Sequence, residues 1–312
     1  MTQRGKKNMS YKLVTYDAGR GPRAGIIVNE RVFDVVDGTG RKEDSSVLAL
    51  LADWPNSKKR LAILAEGPTQ PGLELKAVSL LAPIPNPGAI FCAGANYADH
   101  VLEMAKAQNL APEPDPHSVG LKSWHFIKTV GCVAGPGDVI ELPRRSTKVD
   151  WEAELAVVIG RKAKDVLLDQ ALDHVAGYTI ANDLSARDFT KRAQLPDSSP
   201  FKYDWVAHKC FDRSCPLGPW IVPADAIRDP QSLAIELTVN GVVKQKSNTS
   251  VMIFTVAEQI AHLSEKLTLH PGDVILTGTP AGVGTPRGEF LKPGDEVCIS
   301  IEGIGQLANR MS

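Results

Sequence analysis

Residues Val149–Ile159 read VDWEAELAVVI, and this stretch decides the fold. From Leu155 onward every side chain is aliphatic, the pattern of a strand buried on both faces. Residues two apart in a strand share a face, so Glu152 and Glu154 point the same way, with Asp150 behind them. Neighbouring carboxylates entering an apolar strand repel and lose hydration unless a cation lies between them. One hard divalent ion (Mg²⁺, Mn²⁺ or Ca²⁺) suits such oxygens, whereas Zn²⁺ calls for His or Cys, and neither neighbours the strand. On pattern alone, a solvent-facing edge with two ordinary glutamates stays open.

About 30 residues on, Gly177–Asp188 reads GYTIANDLSARD. Tyr178–Ala181 is strand-like and Asn182-Asp183 ends it, where functional groups concentrate. Asp183 is the third candidate ligand, with a helix cap or turn as the alternative. Asp188 follows Arg187 directly and is expected to make a structural ion pair with it. Upstream, Asn96–Met104 reads NYADHVLEM. On a helix His100 and Glu103 would meet, and a carboxylate beside imidazole orients a general base. An ordinary surface pair is the alternative, because His262 sits between Glu258 and Glu265 at similar spacing. Gly278–Gly284, GTPAGVG, lacks the GK[ST] ending of a phosphate loop and reads as a rigid loop presenting Thr279. GxSxG, HExxH and CxxC are all missing, so acyl-serine hydrolase, zincin and thiol redox chemistry have no support.

Strands dominate the rest. Pro-Gly-Asp recurs at Pro136–Asp138, Pro271–Asp273 and Pro293–Asp295, each time before a strand-like run, as type II turns require. Asn240-Gly241 is the strongest hairpin signal. Helices are expected at Tyr97–Gln108, Leu168–Val175 and Thr255–Lys266. Without βαβ alternation, a mixed α+β, β-rich sandwich, roll or barrel is favoured over a Rossmann or TIM fold. Ahead of it, residues 1–82 read as a small α+β domain: a strand at Tyr11–Tyr16, a hairpin turning at Asn29-Glu30, and helices at Ser45–Ala52 and Lys58–Ala65. Five prolines between Pro68 and Pro87 place the boundary near Ala82, leaving 83–312 as the second domain.

The 312 residues carry 35 basic and 36 acidic side chains, which removes the electrostatic reason to expect nucleic acid or an anionic membrane as partner. No run approaches the roughly 18 apolar residues of a membrane span. The basic residues 1–10 lack the apolar core of a secretory signal. Five cysteines, odd in number, read as reduced thiols in a cytoplasmic protein.

In order, the blocks NYADH, VDWEAELAVVIGR, GYTIANDLSARD, HKCFD, CPLGPWIV, NGVVKQ, HPGDVILTGTPAGVG and LKPGDEV closely resemble the fumarylacetoacetate hydrolase family over residues 88–309. The resemblance implies a β-rich roll behind a small N-terminal domain, and a homodimer. It implies one Mg²⁺ or similar ion per chain on Glu152, Glu154 and Asp183, a His100/Glu103 dyad and a catalytic Lys209. By the same likeness Lys128, in HFIKTVG, and Thr279 would hold substrate. The implied activity is C–C hydrolysis of a small anionic β-diketo (acylpyruvate-like) acid through a metal-stabilised enolate. Isomerase, hydratase or decarboxylase action on a 2-oxo acid is the alternative, and a non-catalytic ion-stabilised dimer a third. A mobile lid at Lys106–Ser123, with Pro112, Pro114 and Pro116, is also expected, a passive loop being the alternative. Two departures bear on the substrate: Ala95 stands where members often carry Arg, and the Gln many place after ARD is displaced to Gln194.

Overall fold

The computed structural model describes residues 11–111 and 113–312; the basic stretch 1–10 and Pro112 lie outside them. Strands β1 (Lys12–Asp17), β2 (Arg23–Val28) and β3 (Arg31–Asp34) form an antiparallel meander. Asn29 and Glu30 adopt φ of 49° and 61°, the backbone of a two-residue type I′ turn, so the hairpin turns where the sequence predicts. β3 stops at Asp34 because that side chain caps helix α1 (Val35–Thr39). Ser46 caps α2 (Val47–Ala52), and α3 (Trp54–Glu66) begins earlier than expected because Pro55 fits its first turn. β4 (Leu73–Glu74) and β5 (Ser79–Leu81) pair with β3 and β1.

Beyond the prolines, β6 (Ile90–Ala93) leads into α4 (Ala98–Ala107), and β7 (His125–Lys128) returns beside β6. The short strands β8 (Val133–Ala134), β9 (Val139–Ile140) and β10 (Val149–Asp150) precede β11 (Ala153–Ile159). β11 runs antiparallel to β12 (Val175–Asn182), and β13 (Ser185–Ala186) pairs back with β10. Leu168–His174 between them is 3₁₀ rather than the α-helix expected. α5 (Trp205–Lys209) leads to β14 (Cys215–Pro223). β15 (Ala234–Val239) and β16 (Val242–Asn248) form the predicted Asn-Gly hairpin. α6 (Val256–Lys266) opens on a Thr255–Glu258 capping box. β17 (Val274–Leu276), β18 (Glu296–Ile301) and β19 (Gly305–Met311) follow. Gly137, Gly272 and Gly294 of the three Pro-Gly-Asp turns all take positive φ.

The main sheet runs β4-β3-β2-β1-β14-β12-β11-β17-β6-β7, and a second runs β16-β15-β18-β19-β9. This is a mixed, β-rich α+β fold. β11 lies inside the main sheet, and its two faces enter two cores. Leu155, Val157 and Ile159 pack with Leu237, Ile299 and Leu307 of the second sheet. Ala156 and Val158 pack with Leu13, Ile26, Leu50 and Leu61 from the first 82 residues. Double-sided burial explains the unbroken aliphatic run. The N-terminal strands join the same sheet through Leu13 opposite Ile221. No helix among the described residues is long and apolar enough to cross a membrane.

Candidate active site

The strand expected over 149–159 breaks at Trp151-Glu152, and the break builds the site. Here side-chain amides take the place of a strand partner: Glu152 N donates to Asn182 Oδ1 at 3.0 Å and Ala153 N to Gln245 Oε1 at 2.9 Å. At the end of β12, Asp183 N donates to the Glu152 carbonyl at 2.9 Å. One oxygen from each of Glu152, Glu154 and Asp183 therefore lies within 4.8 Å of the others, with all three residues buried. Asp150 is not part of this group. Its carboxylate accepts from Gly284 N at 2.6 Å, Thr285 N at 3.0 Å and Thr285 Oγ1 at 2.8 Å, pinning the loop after β17.

Three basic side chains face the carboxylates. Lys209 Nζ lies 2.8 Å from Glu152 Oε2 and 2.6 Å from Asp183 Oδ2. Lys128 Nζ lies 2.9 Å from Asp183 Oδ1, an ion pair without an aligned hydrogen bond. Arg187 donates from Nη2 to Glu152 at 2.5 Å and from Nε to Asp150 at 3.0 Å. Burial raises the Glu152 pKa, but Lys209 and Arg187 outweigh it and hold the group at about 2. Glu154 behaves oppositely: burial, then repulsion from Asp183 and Glu152, pushes its pKa well above the usual carboxylate range. Among the described residues its Oε2 accepts only a backbone N–H, from Gly278 at 2.6 Å. Three converging buried carboxylates, one lacking a cationic neighbour at hydrogen-bond distance, fit a hard divalent ion.

A cavity of about 150 Å³ opens over this group. Its polar lining is His100, Glu152, Glu154, Arg187, His208, Lys209 and Thr279, and its aromatic wall is Trp124, Phe126 and Trp205. Phe126 stacks on Trp205 at 5.5 Å, Trp124 meets Trp205 edge-on at 5.8 Å, and Lys209 Nζ sits 4.9 Å from the Phe126 centroid. A Cβ on Gly94 would lie 1.9 Å from Trp124 Cζ2, so only glycine lets this ring close over the strand.

His100, Lys209 and Thr279 thus reach the cavity as expected. Thr279 accepts from Gln245 Nε2 at 2.9 Å, which fixes its hydroxyl. Two expectations are corrected. Lys128 is not on the cavity wall; its ammonium is buried against the carbonyls of Leu184, Lys209 and Ser214 and pairs with Asp183. His100 and Glu103 share α4 but do not meet as a dyad. Glu103 Oε2 accepts from Gly282 N at 2.7 Å and its Oε1 faces Arg287 at 3.7 Å, while His100 Nδ1 has no partner among the described residues. Asp188, too, pairs elsewhere: it accepts from Ser146 Oγ at 2.6 Å and Thr147 N at 2.8 Å, leaving Arg187 to the site. The segment expected as a lid is tied to α6 through His117–Glu258 at 2.9 Å and Ser123 N to His262 Nδ1 at 3.1 Å. Those same contacts use up Glu258 and His262, so this second His-Glu spacing is structural. Gln194 is exposed, and Ala95 lines the cavity without charge. Sequence reasoning missed Arg187, His208, Gln245 and the aromatic wall.

Burial also holds His125, on β7, neutral by lowering its pKa from 6.5 to about 4. An imidazole depressed in the folded state takes its proton more readily when unfolded, so stability is full above pH 6.5 and falls as pH drops toward 4. The loss is expected to be on the order of 1–3 kcal/mol. Urea midpoints of wild type and His125→Phe across pH 7.5–4.5 check this, the variant showing the shallower decline.

Residues 89–312 match the model of the fumarylacetoacetate (FAA) hydrolase C-terminal family, and the chain belongs to that family. Oxaloacetate tautomerase fahd2, mitochondrial, of Xenopus laevis is 45% identical over 234 residues, covering 74% of this chain and 68% of that protein. Human oxaloacetate tautomerase FAHD2B, mitochondrial, is 43% identical over 257 residues, covering 82% and 75%. Among solved structures, maleylpyruvate hydrolase from Sphingobium sp. SYK-6, in complex with manganese(II) and pyruvate, superposes with a TM-score of 0.74 at 28% identity, covering 96% of this chain and 98% of that one.

Proposed function

We propose that the chain is a divalent-ion-dependent enzyme that interconverts the keto and enol forms of a small 2-oxo dicarboxylic acid of oxaloacetate size. Cavity size carries this reading: about 150 Å³ is well under the roughly 300–1,000 Å³ that drug-sized ligands occupy. The tautomerase names of the relatives support it. So does charge. Asp150, Glu152, Glu154 and Asp183 against Lys128, Lys209 and Arg187 leave a formal −1, which a divalent ion turns to +1, suited to an anionic acid.

Bound by Glu152, Glu154 and Asp183, Mg²⁺ or Mn²⁺ would supply Lewis-acid polarisation of the substrate carbonyl. Around it, Arg187 keeps free guanidinium N–H groups for a carboxylate, and Thr279 offers a hydroxyl held by Gln245. Burial lowers the pKa of His100, with Glu152 opposing, so the imidazole is neutral and able to take the proton from the carbon beside the keto group. Burial also lowers the pKa of Lys209, but Asp183 and Glu152 outweigh it, and the ammonium stays charged and able to donate to the enol oxygen. One proton leaves carbon and one reaches oxygen, and both side chains recover through solvent. Trp124, Phe126 and Trp205 give the cavity one apolar wall.

C–C hydrolysis of an acylpyruvate is the second reading. It needs His100 oriented to activate water, and Glu103 is engaged with Gly282 and Arg287 instead. What favours it is the likeness to maleylpyruvate hydrolase and the fact that no residue of α4 is fully buried, so the helix can shift. Proton NMR of oxaloacetate in D₂O, run beside mass spectrometry of acylpyruvate and maleylpyruvate products, separates the two. Enhanced C3 exchange and keto–enol relaxation without cleavage are expected, with His100→Asn slowing exchange by roughly 10²–10⁴-fold; cleavage products without enhanced exchange would reverse the order. The exposed apolar side chains Ile127 and Val206 beside the aromatic wall support a homodimer.

A further inference from the structure

Next to Lys209 sits an imidazole that none of the steps above uses. His208 is 4% exposed and lines the cavity over the carboxylates, yet neither Nδ1 nor Nε2 has a hydrogen-bond partner among the described residues. Buried polar groups in folded proteins are nearly always paired, and leaving one unpaired costs about 1–3 kcal/mol. His125 shares the lack of partners but does not line the cavity, and His100 lines it with Nδ1 unpartnered; among the described residues His208 is the cavity-lining imidazole with both ring nitrogens buried and unsatisfied.

The ring is held firmly enough to serve a ligand. Asp204 caps α5 by accepting from Ala207 N at 2.9 Å, and the Asp204 carbonyl takes His208 N at 3.1 Å. Trp205 packs against the imidazole at 5.7 Å between centroids. Burial first, then Lys209 and Arg187, keeps it neutral, with its pKa lowered to about 2. A neutral imidazole offers one N–H donor and one acceptor. Beside three cations and four carboxylates, it adds hydrogen-bonding capacity without changing the charge of the site.

We infer that His208 is a substrate-binding residue whose ring N–H donates to an oxygen of the small 2-oxo acid. The inference rests on the small-acid reading above. It gives the cavity a second recognition group besides Arg187, and one that acts by direction rather than charge. A substrate without an oxygen at that position leaves the ring unsatisfied and is rejected by the same energy.

Titration calorimetry with oxalate, a planar mimic of a 2-oxo enolate, and with pyruvate, both at saturating Mn²⁺, tests this on wild type, His208→Phe and His208→Gln. Phenylalanine keeps the packing against Trp205 and removes both nitrogens; glutamine keeps a donor. Oxalate affinity is expected to fall at least tenfold in His208→Phe and to stay within threefold of wild type in His208→Gln. Mn²⁺ affinity should be unchanged in both, the thermal midpoint of His208→Phe should be no lower than that of wild type, and KM for oxaloacetate should rise in His208→Phe more than kcat falls. Unaltered oxalate affinity in His208→Phe, or equal losses in the two variants, would overturn the inference while leaving the small-acid reading intact. If wild type binds neither oxalate nor pyruvate, that reading fails and this one with it. Should His208→Phe not fold, His208→Ala is measured in its place against the same outcomes.

Discussion

Asp183→Ala is expected to abolish divalent-ion uptake and to lower activity by roughly 10²–10⁴-fold, the equivalent of several kcal/mol of lost Lewis-acid stabilisation. Fold stability should fall with it. The carboxylate lies between Lys128, 2.9 Å from Oδ1, and Lys209, 2.6 Å from Oδ2, and both ammoniums are buried. Removing one partner from a buried ion pair costs about 3–5 kcal/mol, because the remaining charge stays desolvated. Asp183→Asn separates the two effects. It keeps shape and hydrogen-bonding atoms, so ion uptake should be lost with a smaller drop in thermal midpoint. Calorimetric ion titration and thermal melts on the two variants check this, and full Mn²⁺ uptake by Asp183→Ala would remove the residue from the site.

Lys128→Met should destabilise the fold as much as Asp183→Ala, by about 3–5 kcal/mol, and it should not act through substrate affinity. The ammonium donates to Leu184 O and Ser214 O at 3.1 Å each and to the Lys209 carbonyl, and pairs with Asp183. Methionine matches the aliphatic stem but leaves those carbonyls and one carboxylate oxygen unsatisfied. Because Lys128 stitches β7 to the segment carrying Lys209, its loss should lower kcat by shifting Asp183 and Lys209, with KM nearly constant. A large rise in KM with unchanged stability would instead restore the substrate-contact role that the family resemblance implies.

Much of the site was legible because its logic is local. Two glutamates at strand spacing ahead of an aliphatic run, and an aspartate where the next strand ends, are patterns of period and position, and the convergence of their oxygens follows from the pairing of β11 with β12. The turns were equally readable: Asn29-Glu30, Asn240-Gly241 and the Pro-Gly-Asp tripeptides carry their backbone conformation in their residue types. Lys209 and Thr279 came only through family likeness, since a single lysine or threonine has no period. Arg187 was misassigned because adjacency in sequence suggested Asp188. In β13 and the turn after it, however, register decides: Asp150 lies opposite Ser185, which brings Arg187 over Asp150 and Glu152. Glu103 shows the reverse error. Helical spacing permits contact with His100, but the Gly282 N–H competes for the same carboxylate, and the loop after β17 is far away in sequence. The order of the main sheet, with N-terminal strands joined through Leu13 and Ile221 across the boundary expected near Ala82, depends on long-range pairing that composition and periodicity do not encode.

The most direct test is calorimetric titration of chelator-treated wild-type protein with Mg²⁺ and Mn²⁺. Uptake of one ion per chain is predicted, lost in Glu154→Gln, since among the described residues the Glu154 carboxylate has only the Gly278 N–H at hydrogen-bond distance. No uptake at millimolar ion, or equal uptake by the variant, would contradict a cation held between Glu152, Glu154 and Asp183.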